Sequence, residues 1–120
     1  MQERARSHKD LIVWQKAMLL CEQVYLLTEH FPQREIYGLS SQIRRAAVSI
    51  PSNIAEGRSR GTTKDFSHFL RIAYGSASEL ETQLDLARRL ELLNEEKLKS
   101  STELLTEVSK MLRAMISKLI

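Results

Sequence analysis

FSHFLRIAYGSASELETQLDLA, residues 66–87, sets Phe66, Leu70, Ala73, Ala77, Leu80, Leu84 and Ala87 at alternating steps of four and three. Residues so spaced line one side of an α-helix as a coiled-coil-like seam. A second apolar flank, Phe69, Ile72, Leu86, Leu90 and Leu93, widens that side, so the helix is expected to touch more than one neighbour. Thr62 opens it, with Asp65 three residues on in a capping-box-like arrangement.

Three further segments repeat the pattern. Upstream, Trp14, Ala17, Met18, Cys21, Val24, Tyr25 and Thr28 form one stripe, with Asp10 as the expected cap and Phe31-Pro32 as the stop. Next, Leu39, Ile43, Ala46, Ala47, Ile50 and Ile54 form a second stripe, capped by Ser40 or Ser41. Pro51 falls inside it and removes the N–H that would bond the Ala47 carbonyl, so helix two is expected to be kinked at Pro51, or broken and restarted. GRSRGTT, residues 57–63, reads as a loop, with Gly57 at the helix end and Gly61 as a second breaker. Downstream, Asn94 caps a last helix with the stripe Leu98, Ser101, Leu105, Val108, Leu112, Met115 and Leu119. Four amphipathic helices with short connections specify an all-α fold, an antiparallel up-down four-helix bundle. Residues 1–120 then make a single domain, with 1–9 as a flexible tail.

Composition agrees. The 120 residues contain 42% hydrophobic and 28% charged side chains, with only four Gly and two Pro, too few for a fold of many short strands. One cysteine excludes an internal disulfide framework and a CxxC zinc site. No stretch nears the roughly 18 apolar residues of a membrane span, and MQERARSHKD lacks a signal-peptide core. Cytoplasmic localisation is the expectation.

No catalytic constellation is visible. No Glu is followed by His three residues later, which excludes the di-iron pattern of helical bundles; Asp65 and His68 are the one acid/His pair at that spacing. Cys21 lies on an apolar stripe, as a core thiol does. His8 and His30 come without a nucleophile, and Ser49 and Ser52 without a base. The glycines at 38, 57, 61 and 75 form neither GxxxxGK nor GxGxxG. No enzyme, metal or cofactor is expected. Gly75, in the middle of helix three, costs roughly 1 kcal/mol against alanine and needs a compensating close contact, first of all inside the bundle. A surplus of apolar residues on helices three and four, including Met111, Ile116 and Ile120, offers a second possibility between subunits.

Net charge is +3, and residues 1–60 hold all of it, nine bases against six acids. Between Glu35 and Asp65, Arg44, Arg45, Arg58, Arg60 and Lys64 face only Glu56, a local +4. Arginine's planar guanidinium suits phosphate and carboxylate contacts.

DLIVWQKA (10–17), FPQREIYGLSSQIRRAAVSIPSNIAEGRSR (31–60) and FLRIAYGSASELETQLDLARRL (69–90) together resemble the four-helix-bundle family encoded within intervening sequences of bacterial 23S ribosomal RNA genes. The resemblance implies a bundle that assembles as a homopentamer, without known enzymatic activity. A more distant relative similar in fold, the accessory protein of diversity-generating retroelements, is a basic pentamer that associates with a reverse transcriptase and nucleic acid. Two readings of the basic segment follow. In one, Arg44, Arg45, Arg58, Arg60 and Lys64 contact RNA or DNA phosphates, with Gln42 and Asn53 offering hydrogen bonds; no aromatic residue lies in 38–65 to stack on bases. In the other, the arginines pair with Glu56, Glu79 or Glu81 within or between subunits, and the protein is a scaffold for protein partners.

Overall fold

The computed structural model describes residues 7–119. Four helices follow in order: α1 (Ile12–Thr28), α2 (Leu39–Ser59), α3 (Thr63–Arg89) and α4 (Glu95–Lys118). Each packs on its chain neighbours, α1 also closes on α4, and neither diagonal pair brings its backbones as close among the described residues. Short connections at 60–62 and 90–94 force antiparallel neighbours. Cross-helix bonds set a common register: Cys21 meets Ala47, Ser49 meets Ser76, Lys16 meets Glu107 and Ser101 meets Gln23. The result is an up-down bundle of 49 × 24 × 21 Å.

The core is filled as the spacing predicts. Leu39, Ile43, Ala46, Ala47, Ile50 and Ile54 of α2 are buried against Leu70, Ala73, Ala77, Leu80, Leu84 and Ala87 of α3. Leu98, Ser101, Leu105, Val108 and Leu112 of α4 close the other side, joined by Leu104 and Ile116. The apolar surplus expected on α4 is therefore absorbed: Ile116 is buried and Met111 half-buried, while Ile120 lies outside the described residues. The stripe of α1 is rotated from its expected position. Val13, Ala17, Leu20, Cys21, Val24 and Thr28 face inward, Trp14 is half-buried, and Met18 and Tyr25 are exposed. That helix is apolar on nearly every side, so periodicity alone could not say which side turns in.

Two caps form as expected. Thr62 Oγ1 accepts from the Asp65 N–H at 3.1 Å, and Asn94 Oδ1 accepts from the Lys97 N–H at 2.8 Å. Two others differ. Asp10 accepts from the Ser7 N–H at 3.3 Å and closes a turn of 3-10 helix at His8–Asp10; α1 starts from Leu11 with no side-chain cap. Neither Ser40 nor Ser41 caps α2. Gly38 occupies that place, and the Glu35 carboxylate accepts the Leu39 N–H at 3.3 Å.

The break expected at Pro51 does not occur, and a kink there is not an observed feature: α2 passes through the proline as one helix. The Ala47 carbonyl left without its N–H finds another donor, the Cys21 thiol, at 3.1 Å. Burial pushes that thiol up to about 11 from an ordinary 9.0, with the Glu22 carboxylate adding to the rise. Folding thus favours the protonated thiol. Its contribution is whole below pH 9 and is lost between pH 9 and about 11. Urea denaturation across that range should show a loss of stability in the wild type that is smaller in Cys21→Ala.

The end of α2 also differs from expectation. Gly57 is buried inside the helix, which continues to Ser59, and Gly61 with φ +84° makes the turn. A Cβ on Gly57 would lie 2.7 Å from Phe69 Cβ, so the missing side chain is what lets α2 and α3 approach. Gly75 is the opposite case. Nothing lies within 4 Å of a Cβ built there, so the contact inside the bundle expected to compensate it is absent.

Candidate nucleic-acid interface

The predicted basic residues separate along α2. Arg44, near its start, is half-buried. Its Nε donates to Thr28 Oγ1 at 2.7 Å, a second nitrogen donates to the Tyr25 carbonyl at 3.3 Å, and the guanidinium stands 4.4 Å from the Tyr25 ring centre. It serves the last turn of α1, where carbonyls lack helical partners and the dipole is negative. Arg45 is exposed, has no ion pair among the described residues, and borders a cleft of about 620 Å³ with Tyr25, Glu29, Ile36 and Val48. Gln42 is exposed. Asn53 is committed inside the chain: its amide donates to the Ser49 carbonyl at 2.8 Å and to Ser49 Oγ at 2.9 Å, and that hydroxyl bonds Ser76 of α3 at 2.7 Å.

At the far end, Arg58 is half-buried and engaged. Arg60 pairs with Glu56 at 3.0 Å and lies 5.0 Å from the Phe69 ring centre. Lys64, in the first turn of α3, is exposed and has no ion pair among the described residues. Some 20 Å of helix separates Arg45 from this group. One continuous patch along α2 is thus not what forms. Of the expected carboxylates, Glu56 answers an arginine, Arg60, whereas Glu79 and Glu81 hold no ion pair among the described residues.

What the fold does instead is sort charge along the bundle's axis. The half containing the start of α1, the end of α2, the start of α3 and the end of α4 carries nine bases and four acids, +5. The other half carries seven bases and ten acids, −3. Arg58, Arg60 and Lys64 therefore keep company with Lys9, Arg71, Lys110, Arg113 and Lys118, while Arg44 and Arg45 stand in the acidic half. Lys9, Lys64, Arg71, Lys110, Arg113 and Lys118 are all exposed and without an ion-pair partner among the described residues. In the sequence these bases lie far apart. Only the up-down order brings the end of α4 beside the α2–α3 turn, and that order is itself readable once four short-linked helices are recognised.

Little else resembles a site. Among the described residues no group of three His, Cys, Asp or Glu side chains could hold a metal ion, and no helix is long and apolar enough to cross a membrane. A groove of about 390 Å³ between α3 and α4 is edged by Glu81, Asp85 and Thr102. The Asp85 carboxyl there is lowered, first by the hydrogen bond from Arg88 and then by the charges of Arg89 and Arg88. Arg88 and Arg89 hold it at 2.9 and 3.1 Å, an exposed pairing across one helical turn.

The fold has a solved counterpart. A crystal structure from Bacteroides thetaiotaomicron, described as a protein with unknown function from the S23 ribosomal protein family, is 29% identical, covers 88% of this chain and 98% of its own, and superposes with a TM-score of 0.81. No curated protein matches the chain. The family model for the 23S rRNA-intervening sequence protein matches residues 9–114, from the 3-10 turn to within the last turns of α4. The chain belongs to the 23S rRNA-intervening sequence protein family.

Proposed function

We infer that the protein is a non-enzymatic, homo-oligomeric accessory factor that binds RNA or DNA through the phosphate backbone, using the basic half of the bundle. The separation of +5 from −3 along the axis carries this reading. Six cations from the 3-10 turn, α3 and α4, unpaired among the described residues, can meet a polyanion without breaking an ion pair there. The benzyl rings there are poorly placed for base stacking: Phe66 and Phe69 are half-buried, and Arg60 already covers the Phe69 ring. Assembly multiplies the surface, because each copy adds another basic end. The number five for those copies is carried over from the resemblance.

Fluorescence anisotropy with labelled RNA and duplex DNA across a salt series tests this. Removing Lys64, Arg113 and Lys118 together as alanines is expected to weaken binding at low salt at least ten-fold. The slope of log affinity on log salt should fall by about 2–3, near 0.9 for each phosphate no longer neutralised. Arg45→Ala with Lys97→Ala and Lys99→Ala, three bases of the acidic half, should change little. No binding at low salt, or equal losses in the two triple variants, overturns the assignment.

A second reading rests on a different observation. The outer faces of α1 and α3 expose large apolar side chains that the bundle does not cover, as a protein-interaction scaffold does.

A further inference from the structure

On the side of α1 facing away from the core, Ile12, Leu19 and Leu26 recur every seven residues and are 58%, 48% and 66% exposed. Met18 and Tyr25, also seven apart, flank them. On α3 the side facing away from the core carries Ile72 and Leu86 with Gly75 between them, and Leu90 beyond. The α1 row has the period of a helix-packing seam; on α3, Ile72 and Leu86 are likewise 14 residues apart, about 21 Å, with the exposed Glu79 and Thr82 between them on the same side. The register of the bundle places Leu19 and Gly75 at the same mid-height, since Cys21 lies beside Ala47 and Ser49 beside Ser76. A protruding leucine on one face and a residue without side chain on the other are complementary.

Because α1 and α3 sit on opposite corners, these two faces point away from each other. One copy cannot bring them together. We propose that the outer face of α1 in one copy packs on the outer face of α3 in the next, with Leu19 set against Gly75. The proposal rests on the homo-oligomeric reading above and names the surfaces that build it. A contact between two different faces is heterologous, and repetition of it closes a ring or extends a filament. The apolar area of the α1 face is of the order such a contact uses, and that of the α3 face is smaller. The five apolar residues of α1 expose together about as much as two to three free side chains, on the order of 400 Å². A standard interface buries about 800 Å² per partner, a little over half of it non-polar. Gly75 also gains its reason here: a glycine that costs helix stability and meets nothing in its own bundle leaves room for a neighbour.

Sedimentation velocity at tens of micromolar tests the proposal with Leu19→Arg and Gly75→Arg, and Thr106→Arg on the exposed side of α4 as control. All three positions are exposed, and circular dichroism confirms that each variant is folded. Wild type and control are expected to sediment as the same assembly, and each face variant as a monomer. Mixed in equal amounts, the two face variants should form a dimer of one copy each and nothing larger, because only one intact junction remains. If either face variant stays fully assembled, or the mixture fails to pair, the faces are wrong while the oligomer stands. A monomeric wild type overturns the homo-oligomeric reading and this assignment together.

Discussion

Gly57→Ala is expected to destabilise the protein by about 1–3 kcal/mol, although alanine is the better helix former by roughly 1 kcal/mol. The new methyl would lie 2.7 Å from Phe69 Cβ, 3.2 Å from Phe66 Cδ1 and 3.4 Å from Phe66 Cα. Two of those atoms are fixed by the backbone of α3, so no rotamer change moves them aside. Either the helices separate or the first turns of α3 shift. At about 4 °C per kcal/mol for a chain of this size, Tm should fall by roughly 4–12 °C. Gly57→Val adds two more methyl groups at the same spot and should cost more. A thermal melt in which Gly57→Ala matches or exceeds the wild type would show that α2 and α3 are not pinned there.

The second large effect is a coupling. Cys21→Ala removes the thiol donor to the Ala47 carbonyl, and a buried carbonyl left without a partner costs about 1–3 kcal/mol, on top of the packing of the sulfur itself. In a Pro51→Ala background that carbonyl recovers an ordinary helical partner, the new N–H four residues on. Removing the thiol should then cost only its packing. A double-mutant cycle by urea denaturation is expected to give a coupling of about 1–2 kcal/mol between two residues on different helices. Additive losses would mean that thiol and proline are independent. The sign of Pro51→Ala alone does not matter to this test, because the buried ring also fills space that alanine would leave open.

These two sites mark where the sequence could be read and where it could not. Local chemistry was legible when the capping residue bonds its own chain, as at Thr62 and Asn94, and when a stripe is bounded by polar residues, as on α2, α3 and α4. It failed where the deciding partner lies on another helix. Nothing near Pro51 in the sequence announces that Cys21 will supply the missing bond. Gly57 resembles a helix stop until Phe66 and Phe69 are placed against it. On α1 the apolar residues surround the helix, so the inward side depended on its neighbours. The layout of the candidate site was hidden for the same physical reason on a larger scale. A run of bases along the chain is stretched out by α2, leaving Arg44 to hold α1 and Arg45 in acidic surroundings, while lysines and arginines some 50 residues downstream join Lys64.

An even number of alternating helices also fixes where the described chain starts and stops. Ser7 and Leu119 lie at the same end of the bundle, the basic one, while the 90–94 turn lies at the other, about 40 Å away along α3. A dye attached at Ser7 or Leu119 would therefore stand at the end that carries the proposed binding surface. A label on the 90–94 turn reports from the acidic pole and leaves that surface clear.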